Sequence, residues 1–228
     1  MLQNKLQIIE AIKTVASILD ELNEKVVYVG GAVTALYADD PGAPEVRPTK
    51  DIDIVLEIAS QLELEELRQK LAERGVHFAK NENVICRFKY QKILLDVMAT
   101  KEIGWAPANP WFKTGFKYSQ ICQMDEVKIQ IMPAAYFLAS KFSAFEDRGR
   151  DPRTSHDFED IVYVLDNRTT LVSDILESEA MVKTFLVDKL KTVLNNTLLQ
   201  EAVLAHLEPA VQTRRYEILE QKLRKIIK

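Results

Sequence analysis

Two aspartates stand two residues apart in an otherwise apolar segment, Asp51-Ile52-Asp53-Ile54-Val55-Leu56. Successive side chains of a β-strand point to opposite faces, so a strand here would place both carboxylates on the same face. Two neighbouring negative charges repel each other unless a cation or a basic group lies between them. The pair is therefore a candidate ligand set for a metal ion, and metal-assisted group transfer is the chemistry that it would serve.

A third acid, Asp96, lies inside a second apolar segment that runs from Ile93 to Met98. Burying a carboxylate without a partner is costly, so its presence there needs a reason. Two Mg²⁺ (or Mn²⁺) ions would neutralise the three acids and hold both the attacking and the leaving oxygen of a displacement. We expect Asp51 and Asp53 to bridge the metals, and Asp96 to bind the metal that faces the acceptor and to help deprotonate the attacking hydroxyl.

A double glycine, Gly30-Gly31, follows the apolar segment 26–29 and precedes a run with helical composition. Glycines at a strand-to-helix junction let backbone N–H groups approach a phosphate closely, at the positive end of the helix dipole. A phosphate-binding turn beside a metal-binding acid pair is the combination that transfer of a nucleotide from an NTP requires.

The spacing of apolar residues places these motifs in an N-terminal α/β half. Helices are expected over 3–23, 31–38 and 60–74, and strands over 25–29, 51–57, 84–90, 93–98 and 125–131. Later segments are helical in period, namely 133–147, 155–166, 173–195, 197–207 and 209–227. The predicted fold class is α+β: a mixed sheet with flanking helices in residues 1–130, followed by a C-terminal helical bundle in residues 131–228 that closes the nucleotide cleft.

The bulk composition argues against several classes of protein. A formal net charge of −4 does not suit a protein that coats nucleic acid non-specifically. The segment 211–228 has six basic and two acidic side chains, which suits either an RNA or partner contact or, more commonly, a solvated helix face. Two cysteines without metal-ligand spacing, no leader and no apolar run of membrane-spanning length predict a cytoplasmic protein without a membrane partner.

The quoted motifs resemble those of the DNA polymerase β-like nucleotidyltransferase superfamily, a Gly-Gly or Gly-Ser turn, then Asp-x-Asp, then a third Asp. Within it, Arg47-Pro48-Thr49-Lys50-Asp51-Ile52-Asp53 resembles the Arg-x-Thr-x-Asp-hydrophobic-Asp sequence of the AbiEii-type nucleotidyltransferase toxins. Those toxins add a helical lysine and a later Lys/Arg-Asp-x-x-Asp-hydrophobic element. The chain has Lys141 and then His156-Asp157-Phe158-Glu159-Asp160-Ile161, with His156 where the family usually has a base. The resemblance covers residues 26–165.

The resemblance implies a metal-dependent enzyme that transfers NMP from an NTP to an acceptor hydroxyl, with RNA such as tRNA as the expected acceptor. It also implies a cognate antitoxin protein as a partner. Lys141 would hold the triphosphate, and Asp157 and Asp160 would either position Lys141 or Arg148, or bind the base or ribose. Two alternatives stay open: an antibiotic adenylyltransferase with a small-molecule acceptor, and a nucleotide-binding module without catalysis.

The candidate residues fall into two overlapping sets. The catalytic candidates are Asp51, Asp53, Asp96 and Lys141, of which the three aspartates are also the candidate metal ligands. The candidates for nucleotide binding are Gly30, Gly31, Thr34, Thr49, Lys50, Lys141, Arg148, Asp157 and Asp160.

Overall fold

The computed structural model describes residues 4–79 and 84–228. The chain divides into two compact units: unit 1 extends to Val33 and resumes over Glu45–Met132, and unit 2 comprises Thr34–Pro44 and Pro133–Lys228. The sequence predicted a single division after residue 130. The observed units differ from that prediction because the Pro- and Gly-containing segment Thr34–Pro44 belongs to the second unit.

Unit 1 is built on one mixed sheet. Its described strands are β1 (Val26–Val29), β2 (Asp51–Leu56), β3 (His77–Phe78), β4 (Arg87–Tyr90), β5 (Ile93–Ala99), β6 (Gln120–Met124) and β7 (Val127–Ile131). The strand order is β3-β4-β5-β2-β1-β7-β6. Strand β2 pairs antiparallel with β1 and parallel with β5, so the Asp-x-Asp strand lies inside the sheet.

The helices of unit 1 are α1 (Lys5–Leu19), α2 (Gln61–Glu73) and α3 (Phe112–Lys117), with a 3₁₀ segment at Asp20–Lys25. Ser60 caps the start of α2, where its hydroxyl accepts from the Glu63 N–H at 3.2 Å. The predicted first helix ends earlier, at Leu19, and residue 3 of that range lies outside the described residues.

Other segments of unit 1 also differ from the prediction. The segment after the double glycine is a six-residue 3₁₀ helix, Gly31–Leu36, and not an α-helix; it contains β-branched residues, which lower helix propensity. Strand β6 was not predicted, because its residues are mostly exposed and show no clear apolar alternation. Strand β6 forms through its antiparallel pairing with β7.

Unit 2 is helical in the part of the chain that the structure describes. Its helices are α4 (Ala134–Arg148), α5 (His156–Asn167), α6 (Leu171–Leu176), α7 (Ala180–Asn195), α8 (Thr197–His206) and α9 (Gln212–Ile226). The predicted helix 173–195 is divided into α6 and α7, where the Ser178 hydroxyl donates to the Ile175 carbonyl at 2.7 Å. Fully buried Phe137, Phe158 and Leu186 contribute to the core. The predicted α+β fold class is confirmed.

Two basic residues of the C-terminal segment are structural within unit 2. Arg215 Nε donates to both oxygens of Asp166 at 2.8 and 2.9 Å, and its Nη1 donates to Asp40 at 2.8 Å. Lys222 Nζ donates to the carbonyls of Asp166 and Arg168 at 2.7 and 3.2 Å. Arg215 Nη2 also donates to the Asp166 carbonyl at 3.3 Å. Carbonyls at the end of a helix lack helical partners, so both cations complete the end of α5. The other four basic residues of 211–228 are exposed.

None of the helices within residues 4–79 and 84–228 is both long and apolar enough to cross a membrane.

Candidate active site

Strand β2 presents its two acids on one face. Ile52 and Ile54 are buried, at 0% and 1% exposure, whereas Asp51 and Asp53 are only half-buried. Because alternate residues of a strand face opposite sides, the two carboxylates project together from the side that Ile52 and Ile54 do not occupy. The same-face arrangement expected from the sequence is therefore present.

The third acid lies beside them across the sheet. Asp96 of β5 is the register partner of Asp53 on β2, in a parallel pair. On its other side Asp96 is opposite Arg87 of β4, in an antiparallel pair. Register partners project from the same face of a sheet, so these three side chains form a row across three adjacent strands. Asp96 is 7% exposed and Arg87 is 9% exposed.

Arg87 joins the carboxylates of both strands. Its Nε donates to Asp96 Oδ1 and its Nη2 to Asp96 Oδ2, each at 2.7 Å. The same Nη2 also forms an ion pair with Asp51 Oδ2. The sequence argument required a cation or a basic group between the acids, but it did not identify Arg87. The sequence feature that could have indicated Arg87 is its position between the apolar residues Cys86 and Phe88. All three residues are buried in the structure.

The donor set of this cluster is chemically suited to Mg²⁺ or Mn²⁺, which prefer carboxylate oxygens. Asp51, Asp53 and Asp96 supply such oxygens from neighbouring strands on one face. Two of these three acids are bound to Arg87. In this arrangement, no group of three or more His, Cys, Asp or Glu side chains among the described residues is placed to hold a metal ion. A metal would therefore need the same acids without the guanidinium between them.

The double glycine has a local packing role. Gly30 has a φ of +72°, and a Cβ on it would overlap Asp53 Oδ2 and lie 2.6 Å from Asp53 Cγ. A Cβ on Gly31 would meet the end of the Arg47 side chain, with Cζ at 3.3 Å, and Thr49 Oγ1 at 3.4 Å. The space beside both glycines is thus taken by side chains of the motif itself. Their predicted contact with phosphate stays a prediction.

The other candidates near this motif differ in their exposure. Thr49 is 5% exposed, and its hydroxyl lies 3.4 Å from Asp51 Oδ1. Lys50 is exposed. Thr34, which belongs to unit 2, is fully buried, and its hydroxyl has no hydrogen-bond partner among the described residues.

The later candidates form a second ionic cluster, inside unit 2. Lys141 Nζ lies 3.2 Å from Asp157 Oδ1 and 2.7 Å from Asp160 Oδ2, and all three residues are buried. Arg148, whose side chain is 57% exposed, pairs with the other oxygen of Asp157. Of the two roles expected for the acids, their contacts match the positioning of Lys141 and Arg148.

Each unit thus gathers its own share of the predicted residues. Unit 1 brings together Gly30, Gly31, Thr49, Asp51, Asp53 and Asp96 and adds Arg87. Unit 2 brings together Lys141, Arg148, Asp157 and Asp160.

Known proteins share this architecture. Among solved structures, an antigenic nucleotidyltransferase-like protein from Paracoccidioides brasiliensis is 17% identical with a TM-score of 0.54, and the match covers 89% of this chain and 94% of that one. The antibiotic-resistance factor ANT(2'')-Ia is 13% identical with a TM-score of 0.50, and the match covers 82% and 95% of the two chains. At these identities the likeness establishes the fold. No curated protein matches the chain.

A match to a family model identifies the family of the chain as well as its fold. The model described as "Nucleotidyl transferase AbiEii toxin, Type IV TA system" matches residues 19–225, which include both ionic clusters. The resemblance noted in the motifs is confirmed by this match. The chain belongs to the AbiEii nucleotidyltransferase toxin family and is a nucleotidyltransferase.

Proposed function

We propose that this nucleotidyltransferase moves NMP from an NTP to a hydroxyl of an RNA acceptor, with tRNA as the first candidate. The observation that carries the proposal is the group of three acids in unit 1, where Asp53 and Asp96 are register partners and Asp51 shares their face. Three carboxylates on one face are the ligands that two-metal phosphoryl transfer uses.

Asp51, Asp53 and Asp96 are the residues that would hold the metal. A bound Mg²⁺ or Mn²⁺ would neutralise the acids and stabilise the charge on the attacking and leaving oxygens. Asp96, buried beside the pair, would help to accept the proton of the acceptor hydroxyl. Asp51 and Asp53 orient the reacting groups from a strand that is held on both sides within the sheet.

The cluster of unit 2 contains Lys141, which matches the helical lysine of the family motif, and Arg148, which lies outside that motif. We propose phosphate binding for Lys141 and Arg148, with Asp157 and Asp160 as the residues that position them. The guanidinium of Arg148 is exposed, so an anion in solution can reach it. The carboxylates of Asp157 and Asp160 would keep the ammonium group of buried Lys141 in position.

The family description also suggests partners and a location. The words "Type IV TA system" support a proposal that a cognate antitoxin protein accompanies this toxin. An NTP substrate and an RNA acceptor would place the reaction in the cytoplasm.

The reaction is tested by incubating the purified chain with each labelled NTP, Mg²⁺ and total cellular RNA. We expect label to enter RNA, and we expect Asp53→Asn to reduce the transfer about 10²-fold or more, as loss of a group that stabilises the transition state usually does. Glu57→Gln, which removes an exposed acid just after β2, is the matched control and should keep its activity.

Other outcomes of this assay would support the alternatives. Label on an aminoglycoside or lincosamide, with none in RNA, would indicate the small-molecule adenylyltransferase. NTP binding without any transfer would indicate a nucleotide-binding module. Full transfer by Asp53→Asn would overturn the assignment of the acids.

A further inference from the structure

The guanidinium of Arg87 lies among the proposed metal ligands. Its side chain is 11% exposed, and it makes two 2.7 Å hydrogen bonds to Asp96 and an ion pair to Asp51. A guanidinium does not lose its proton in a protein, so this cation cannot be removed by titration. It can leave the acids only by moving.

Arg87 uses oxygens that a metal would need. Its Nη2 joins Oδ2 of Asp51 to Oδ2 of Asp96, and its Nε takes Oδ1 of Asp96. Mg²⁺ binds oxygen ligands at about 2.0–2.1 Å and would have to approach these same atoms. Two cations a few ångströms apart also repel each other strongly in a partly buried site. Arg87 and a metal therefore compete for Asp51 and Asp96.

The charge of the cluster favours such a replacement. The guanidinium of Arg87 carries one positive charge and is shared between two carboxylates, those of Asp51 and Asp96. The acids of unit 1 are thus suited to a cation of higher charge than Arg87 provides.

We propose that Arg87 is an exchangeable counter-ion of the active site. It holds Asp51 and Asp96 together while no metal is bound, and it leaves both carboxylates when a divalent cation binds. The side chain can make this movement through its own rotatable bonds, with the strand backbone of β4 in place. Arg87 is then a positioning residue that sets the metal affinity, and the inference rests on the proposed metal-dependent function.

The test measures two quantities without NTP. Direct Mn²⁺ binding is monitored by the electron paramagnetic resonance signal of the free ion, and the melting temperature is measured with and without Mn²⁺. Arg87→Gln should bind Mn²⁺ about tenfold more tightly than the unchanged protein, because the competing charge is gone. Without metal it should melt at a lower temperature, and Mn²⁺ should raise that temperature more than it does in the unchanged protein. Lys89→Gln is the matched control, since it removes an exposed charge from the same strand and should leave Mn²⁺ binding unchanged.

The outcomes separate this inference from the proposed function. Mn²⁺ binding that is lost in Asp53→Asn but is equal or weaker in Arg87→Gln would overturn the exchange and leave the metal site standing. No Mn²⁺ binding in any variant, or binding that persists in Asp53→Asn, would overturn both.

A folding defect in Arg87→Gln would also be informative. If the variant is unfolded without metal, circular dichroism during a Mn²⁺ titration replaces the binding assay. Recovery of the native spectrum with Mn²⁺ supports the exchange, because the metal then supplies the charge that Arg87 supplied. A variant that stays unfolded at millimolar Mn²⁺ contradicts it.

Discussion

The carboxylate of Asp53 lies against Gly30, in the space that a Cβ on that glycine would occupy. The two residues stand on neighbouring chain segments, because β1, which ends just before Gly30, pairs in register with β2 at Val29 and Asp53. The glycine is therefore required by the acid of the active site as well as by its own positive φ of +72°.

Gly30→Ala should reduce stability more than a positive φ alone explains. Gly149→Ala is the matched control, because Gly149 has a φ of +55° and its Cβ position has no contact within 4 Å outside its own helix. The control should lower the free energy of unfolding by about 1 kcal/mol, from backbone strain. Gly30→Ala should cost about 1–3 kcal/mol more, from steric overlap with Asp53. Urea denaturation measures both, and equal losses would contradict the close contact.

Lys141→Ala should destabilise unit 2 strongly. Removing the ammonium leaves Asp157 and Asp160 buried, at 3% and 1% exposure. Breaking one side of a buried ion pair costs about 3–5 kcal/mol. Lys191→Ala, an exposed lysine of α7, is the control in the same denaturation experiment. A loss below about 1 kcal/mol in Lys141→Ala would contradict this network.

Arg215→Ala should destabilise the same unit by a smaller amount. Arg215 bridges Asp166 and Asp40, but its side chain is 20% exposed. We expect a loss of about 2 kcal/mol, below that for a fully buried pair because solvent screens the charges. Arg214→Ala removes an exposed charge from the adjacent position and should change stability little. Equal melting temperatures for the two variants would contradict the bridge.

The same bridge should make stability depend on pH. Hydrogen bonds from Arg215 and from the Gly42 N–H lower the pKa of Asp40 below its ordinary value of 3.8. A lowered folded-state pKa contributes stability that is present above pH 3.8 and is lost as the pH falls through the folded value. Acid denaturation curves should therefore show a smaller loss below pH 4 in Arg215→Ala, and the same acid dependence in both proteins would refute the assignment.

The two cysteines should differ in reactivity. Burial, with the nearby charges of Asp96 and Asp53, raises the pKa of the Cys86 thiol to about 12. Burial also raises the pKa of Cys122, although that residue is less buried. Since the thiolate is the reactive form, iodoacetamide at pH 8 should label Cys122 first and Cys86 only after unfolding. Mass spectrometry of the peptides distinguishes the sites, and rapid labelling of native Cys86 would contradict its burial.

The high pKa of Cys86 also has a consequence for stability. The folded value of about 12 lies above the ordinary value of 9.0, so the native state holds this proton more tightly than the unfolded chain. The contribution is complete below pH 9 and is lost as the pH rises towards 12. Cys86→Ala should remove this part of the alkaline dependence, which urea denaturation at pH 8 and pH 10 would measure.

The sequence by itself determined the features that depend on local periodicity. The spacing of Asp51 and Asp53 placed both acids on one strand face, and the apolar run around Asp96 identified a second strand with an ionisable residue. The same periodicity separated a sheet-containing half from a helical half. These predictions were possible because a strand repeats every two residues and a helix about every four, whatever the rest of the fold does.

Only the tertiary structure decided which charges meet. Arg87 reaches Asp96 because β4 pairs with β5 in one register, and a shift of a single residue would turn its side chain to the other face. In the same way, the packing of α5 against α4 brings Asp157 and Asp160 to Lys141. Strand register and helix packing depend on contacts between residues far apart in the chain, so no local pattern contains the partners of Arg87 or Lys141.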